Sequence, residues 1–280
     1  MPTYRGADGA ALFFDVLGPA GAPSLVLLAG GAGAHPAYLG TLAGLDERYR
    51  LVVPHLRGVG GSAAAELTAR GSRWRQAADV EALRRHLGTD RCVLVAHSAG
   101  SRLAVAYAAQ HPEYVAGLVL VTPPAGYLVD VPSDVPALTA RRLSEPVFAQ
   151  ALAAFEAGPD TSSDETFNDW QRAAAPLGYA RWDERAQAHA RSLRYSMAAA
   201  RAFMSGDAPG DLLSRLRAVP APTLVVAGAQ DCSAGRALVV AVVELFPAGR
   251  AVVLEDCGHF PWVEQPAAFR AALDPFLAQL

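Results

Sequence analysis

Ser98 sits in Cys92-Val93-Leu94-Val95-Ala96-His97-Ser98-Ala99-Gly100, a small-x-Ser-x-small spacing between an apolar run and an apolar helical stretch. A serine on a tight strand-to-helix turn is held in a strained backbone conformation that projects its hydroxyl clear of the sheet. Side chains two residues before and after would meet the neighbouring backbone, so Ala96 and Gly100 must be small. A serine hydroxyl attacks an acyl carbon only when a base removes its proton. His259, in Glu255-Asp256-Cys257-Gly258-His259-Phe260-Pro261, is the best-placed of the seven histidines. The base needs an acid to fix its tautomer and stabilise the imidazolium. Asp231, in Ala227-Gly228-Ala229-Gln230-Asp231, fills that role, with Asp256 as the rival only three residues from His259. The tetrahedral oxyanion then needs two backbone donors. One is expected from the N–H of Ala99, the other from Gly31 in the loop Gly30-Gly31-Ala32-Gly33.

These groups require elements to carry them. Apolar runs at Leu12–Val16, Leu25–Ala29, Leu51–Val53, Cys92–Ala96, Leu118–Val121, Thr223–Ala227 and Ala251–Leu254 are mostly continuous, the pattern of parallel strands buried on both faces. Tyr4 to Leu17, with Asp8-Gly9 at its centre, predicts an antiparallel hairpin. Helices are predicted over Arg73–Leu87, Ala99–Gln110, Ala237–Phe246 and Phe269–Leu280. The alternation predicts an α/β fold with a doubly wound, mostly parallel sheet. It fails over residues 124–210, which are Arg- and Ala-rich and helical in pattern. The expectation is a core of 1–123 and 211–280 and a helical lid of 124–210 set over the strand ends.

The Ser98, Asp231, His259 chain order is that of an α/β hydrolase. The chain resembles the α/β-hydrolase superfamily over essentially its whole length. Within it the likeness is to proline-iminopeptidase-like, lid-bearing hydrolases. Ala29-Gly30-Gly31-Ala32-Gly33 stands where that family has His-Gly-Gly-Pro-Gly. His55-Leu56-Arg57-Gly58-Val59-Gly60-Gly61-Ser62 stands where it has Asp-x-Arg-Gly-x-Gly-x-Ser, and Gly258-His259-Phe260-Pro261 is similar to its base-bearing loop. The departures are Ala29, Ala32 and His55, and an elbow reading Ala-His-Ser-Ala-Gly instead of Gly-Gly-Ser-Trp-Gly. The resemblance implies acidic residues that grip a free amine. Glu165, Asp169, Asp183 and Glu184 are available, but a solvated helix face is the expected place for them.

Composition narrows the chemistry. The 280 residues carry a net charge of −3, and all 24 basic residues are arginine, which excludes a catalytic lysine. No basic tract suggests nucleic acid, no leader-like N-terminus precedes the first strand, and no apolar run reaches the ~18 residues of a bilayer span. Gly58-Val59-Gly60-Gly61-Ser62-Ala63 fits G-x-G-x-x-A, but no strand ending in an acid follows at dinucleotide-site spacing. No metal, no cofactor, no nucleic acid and no membrane are expected; the partner is a small-molecule substrate and the location cytoplasmic. Cys92, Cys232 and Cys257 are expected as buried thiols, with Cys232 or Cys257 at the site's edge.

The first expected activity is cleavage of a small or medium ester, thioester or amide through an acyl-enzyme. The alternatives are a lyase, cyclase or acyltransferase of a biosynthetic pathway using the same three groups, or an aminopeptidase of the proline-iminopeptidase type. A non-catalytic receptor would have no need of all three in order. Candidate substrate contacts are His35, Trp170, Tyr179, Trp182, Tyr195 and Phe260, with His55 as a second histidine that follows a strand. His97 is expected to point away from the elbow. His86, His111 and His189 are expected to be structural residues on helix surfaces or ends.

Overall fold

A computed structural model describes residues 2–206 and 208–280; positions 1 and 207 of the expected core and lid lie outside them. β1 (Thr3–Arg5) and β2 (Ala11–Leu17) form the expected hairpin, pairing Thr3 with Phe13 around the Asp8-Gly9 turn. β3 (Ser24–Leu28), β4 (Arg50–Pro54), β5 (Cys92–His97), β6 (Val115–Val121), β7 (Thr223–Gly228) and β8 (Gly249–Leu254) run parallel. The eight strands form one sheet in the order β1-β2-β4-β3-β5-β6-β7-β8, with β2 antiparallel to β4.

The continuous apolar runs have a simple cause. Successive side chains leave a strand on opposite faces, so a strand covered on both sides must be apolar throughout. On β3, Val26 and Leu28 join one core layer while Leu25 and Leu27 join the other. β6 splits likewise, with Leu118 and Leu120 on one side and Val119 and Val121 on the other.

α1 (Arg73–His86) and α2 (Gly100–Gln110) cover the first face. Between β6 and β7 the chain makes α3 (Val135–Ala140), α4 (Pro146–Ala157), α5 (Asp164–Ala174), α6 (Glu184–Ser192), α7 (Met197–Met204) and α8 (Leu212–Arg217). Leu212 and Leu216 of α8 return to the core beside α2. α9 (Arg236–Ala241) follows β7, and α10 (Pro261–Glu264) and α11 (Pro266–Leu277) follow β8. Phe269, Leu273 and Phe276 of α11 cover the second face.

Two helices depart from expectation. The predicted helix 237–246 stops being α-helical at Ala241 and tightens to a 3₁₀ turn, Val242–Leu245. Its run of valines disfavours a helix, and Pro247 ends it. The last helix begins at Pro266, earlier than predicted, because proline suits a first helical position. No helix among the described residues is long and apolar enough to cross a membrane.

Arg57, from the glycine-rich motif after β4, has a fully buried side chain. Its guanidinium donates to Asp79 of α1 at 2.6 and 2.8 Å and to Asp8 of the hairpin turn at 2.8 and 2.9 Å. The motif therefore pins the hairpin to α1. Hydrogen bonds from Arg57 hold the Asp8 carboxyl down at about 2. A carboxyl held below its unfolded value stabilises the fold above about pH 4 and loses that contribution as pH falls towards 2. Removing the cation strands a nearly buried Asp79. Arg57→Met is expected to cost about 3–5 kcal/mol in a urea titration. Asp8→Asn, at the wetter end, is expected to cost about 1 kcal/mol or less. Equal losses would show that Asp79 does not depend on its partner.

Candidate active site

The candidate groups all lie beyond the carboxyl ends of strands, where open α/β sheets place their sites. Ser98 follows β5 directly and has a φ of 46°, a left-handed conformation that costs a residue with a Cβ. Its N–H donates to the Val121 carbonyl on β6 at 2.9 Å, which holds the turn. A Cβ at Gly100 would collide with the Leu28 and Ala29 carbonyl oxygens, so α2 can leave the elbow this tightly only with glycine there.

Asp231 lies three residues past β7 and His259 five past β8. They meet at 2.8 Å, His259 Nδ1 to Asp231 Oδ2. Asp231 is fully buried, and its other oxygen accepts the N–H groups of Ser233 at 2.8 Å and Ala234 at 3.0 Å. The carboxylate is thus locked on one side and offers one oxygen to the ring. Nδ1 must carry the proton it donates, which leaves Nε2 as an acceptor. Asp256, the rival acid, is exposed, and its carboxylate accepts from Gln230 Nε2 at 3.3 Å.

The loop after β3 comes close because Gly30 has no side chain; a Cβ there would lie 2.8 Å from Ser98 Cβ. Gly30 N–H donates to Tyr38 Oη at 2.6 Å. The N–H groups of Gly31 and Ala99 find no protein acceptor among the described residues.

A hydrogen-bond chain joins this loop to the His259 loop. Tyr38 Oη lies 2.8 Å from His97 Nδ1, and His97 Nε2 lies 3.0 Å from the His259 carbonyl. A carbonyl only accepts, so His97 carries its proton on Nε2 and the phenol donates to Nδ1. Burial drives His97 well below the ordinary histidine range and keeps it neutral. Thr122 Oγ1 donates to the same carbonyl at 3.0 Å from a positive φ of 44°, a strained position for a β-branched residue. The His97 ring packs 4.9 Å from that of His259.

The pattern of the alpha/beta hydrolase fold matches residues 23–266. The chain belongs to the α/β-hydrolase fold family. It is 28% identical over 260 residues to a pimeloyl-[acyl-carrier protein] methyl ester esterase of Aeromonas hydrophila, covering 91% of this chain and 95% of that one. A proline iminopeptidase of Neisseria meningitidis is 38% identical over 103 residues, but the chain spans only 33% of its length there and the match uses 36% of this chain. Among solved structures, a putative aryl esterase from Burkholderia cenocepacia superposes with a TM-score of 0.75 at 23% identity, covering 99% of this chain and 98% of that one.

In this α/β hydrolase Ser98, His259 and Gly31 open onto one cavity of about 340 Å³. Helices from the 124–210 segment supply most of its wall, with Leu152, Trp170, Leu177, Tyr179, Leu193 and Tyr195 among the lining, and Phe260 closes one side. Among the described residues lining it, Arg172 is the one Arg, Asp or Glu, and it is exposed and paired with Asp169. Cys232 is the cysteine at the edge; Cys92 and Cys257 do not line the cavity, and all three thiols are free and buried.

Two expected contacts lie elsewhere. His35 does not line the cavity; it caps the 3₁₀ turn Pro36–Leu39 and packs its ring 5.0 Å from that of His55. His55 is buried, bonded to Asp15 at 2.9 Å and to Gly61 N–H at 2.9 Å, so both histidines brace loops. Trp182 packs behind Tyr179 at 5.3 Å, one layer back from the wall. His189 is a half-buried structural residue of α6, held by Tyr179 Oη at 2.7 Å and by the Tyr38 carbonyl at 3.0 Å, and burial lowers it to about 4. His86 is exposed at the end of α1, and His111 caps α2. Glu165, Asp169, Asp183 and Glu184 are all exposed, and none lines the cavity.

Sequence reasoning missed Tyr38, Thr122 and Glu264. The Glu264 carboxylate accepts the N–H groups of Gly258 at 3.0 Å and Phe260 at 3.2 Å, on either side of His259. No spacing rule announces such a residue. Its one signal is an acid within a turn of the base loop, in an otherwise apolar stretch.

Proposed function

We propose that this α/β hydrolase cleaves an uncharged ester or thioester through an acyl-enzyme on Ser98. The observation that carries this is the Asp231–His259 bond, which leaves Nε2 as an acceptor at the cavity that Ser98 also enters. In the reaction, Ser98 Oγ attacks the acyl carbon as its proton passes to His259 Nε2. The oxyanion takes the unpaired N–H groups of Gly31 and Ala99. The imidazolium, held by Asp231, protonates the departing alcohol or thiol. Water then attacks the acyl carbon as its proton passes to His259, and the acyl–Oγ bond breaks as the imidazolium returns that proton to Ser98 Oγ, freeing the acid. Helices of residues 124–210 act as the lid that closes the substrate off from solvent.

The wall favours a neutral substrate. An apolar lining solvates a charged acyl group poorly. The free amine of an iminopeptidase substrate would need a carboxylate within the cavity, and the four candidate acids all face solvent. The methyl ester esterase activity of the Aeromonas relative agrees with this reading.

A series of nitrophenyl acyl esters tests it, set beside a prolyl nitroanilide with a free amine. Each buried methylene contributes about 0.8 kcal/mol, so kcat/KM is expected to rise about fourfold per methylene until the cavity is full. The prolyl amide is expected to stay uncleaved. Amide turnover that needs the free amine, with no ester turnover, would overturn the proposal.

A further inference from the structure

We infer that Glu264 is a positioning residue that clamps the base loop to the lid, so that the two move into working geometry together. This rests on the acyl-enzyme reading above, because it assigns Glu264 a role through His259.

The clamp is built from both oxygens of one carboxylate. Oε1 accepts the N–H groups of Gly258 and Phe260 and so fixes the peptides on either side of the base. Oε2 accepts the N–H of Ala180 at 2.6 Å, in the segment after the 3₁₀ turn Ala175–Gly178. One residue pair adds a direct stitch: His259 N–H donates to the Gly178 carbonyl at 2.7 Å. Between Gly178 and Ala180 lies Tyr179, which lines the cavity and stacks on Phe260 at 4.7 Å. The position of the base and that of one substrate wall therefore depend on the same side chain.

Only the ionised carboxylate can do all of this. It accepts at both oxygens, whereas a carboxylic acid has a hydroxyl that must donate. A hydroxyl facing the Ala180 N–H would set donor against donor and release the lid side of the clamp. Burial raises the Glu264 carboxyl to about 7, against the pull of its three N–H partners. Buried Asp231 raises it further through its charge. The cleft beside it presents Asp183, Glu184 and Asp256 together with Arg181 and Arg185, and Tyr179, Cys257 and His259 adjoin it on the inner side.

The sign of the linkage separates this role from a structural one. A carboxyl raised above its usual 4.5 favours the fold while protonated, and that contribution is lost as pH rises through about 7. The ionised form costs stability at the pH where the clamp is complete. Loss of ionisation should therefore spare the fold and impair the chemistry.

Glu264→Gln keeps one acceptor for the base loop and turns an amide N–H₂ towards Ala180. With a nitrophenyl ester, kcat is expected to fall on the order of 10²-fold, the scale of an ångström-sized misplacement. The melting temperature at neutral pH should be unchanged or higher, and the change in kcat around pH 7 should flatten. Glu264→Asp, which keeps the charge, should recover part of kcat. In the wild-type protein, hydrogen exchange of residues 178–180, corrected for intrinsic rates, should quicken as pH falls through about 7. Wild-type kcat and pH profile in the Gln variant, or unchanged exchange, would overturn the clamp. Failure of the wild-type protein to turn over esters or take up a fluorophosphonate at Ser98 would instead sink the acyl-enzyme reading.

Discussion

Ser98→Ala is expected to lower kcat for an ester by about 10⁴–10⁶, leaving only the rate that binding and the oxyanion donors supply. The size follows from what the substitution removes. Alanine keeps the Cβ and so keeps the elbow, whose backbone is already held at φ 46° by the Val121 carbonyl and the close-packed start of α2. The two proteins then differ by one oxygen. Without it no acyl-enzyme forms, and Asp231, His259 and the N–H groups of Gly31 and Ala99 are left to assist a direct attack by water. Intact-mass measurement after treatment with a fluorophosphonate gives a second reading: the wild-type protein should gain one adduct and the variant none. A loss below tenfold on the natural substrate, with the adduct absent, would assign the chemistry to His259 acting alone as a base. That outcome favours elimination or cyclisation over acyl transfer.

The parts of this molecule that could be read from its sequence are those set by local constraint. β5, β6 and β7 announce themselves because both faces of each strand meet a core layer, so their runs are mostly apolar, with His97 and Thr223 at strand ends as the polar exceptions. The hairpin is legible because Asp8-Gly9 suits a tight turn. Ser98 is legible because the close approach of α2 to the end of β3 demands glycine at 100. Asp231 and His259 could be named from their distances behind two strands, although 28 residues separate them. The lining of the cavity could not be read in this way. Periodicity says which side of its own helix a residue occupies, but not which neighbour covers that side. Tyr179 reaches the cavity while Trp182, three residues on, packs behind it. His35 and His55 carry chemistry-bearing rings, yet His35 spends its hydrogen bond on its own turn and His55 ties Asp15 of β2 to the Gly61 N–H. His97, Thr122 and Glu264 work on backbone groups far away in the chain, and Tyr38 joins the Gly30 N–H to His97, 59 residues on; a contact between a side chain and a distant group leaves no repeat in the sequence.

Asp231→Asn is expected to cost about 10⁴ in kcat with little change in KM. The neighbouring donors decide how the amide must sit. Ser233 and Ala234 each point an N–H at one oxygen of the native carboxylate, so the amide oxygen has to face them. The N–H₂ group is then turned towards His259 Nδ1. A donor there forces Nδ1 to accept, which moves the ring proton to Nε2. His259 then meets Ser98 with the nitrogen that is already protonated and has no lone pair to take the hydroxyl proton. Asn is nearly the same shape as Asp, so the buried site should keep its packing and the protein its fold. The matched control is Asp256→Asn. Asp256 is exposed, its carboxylate accepts from Gln230, and losing the charge should change kcat by about twofold or less. The reverse result, a large loss at 256 and a small one at 231, would transfer the acid's role to Asp256. Large losses at both would mean that the loop between β8 and α10, instead of one carboxylate, sets the orientation of the base.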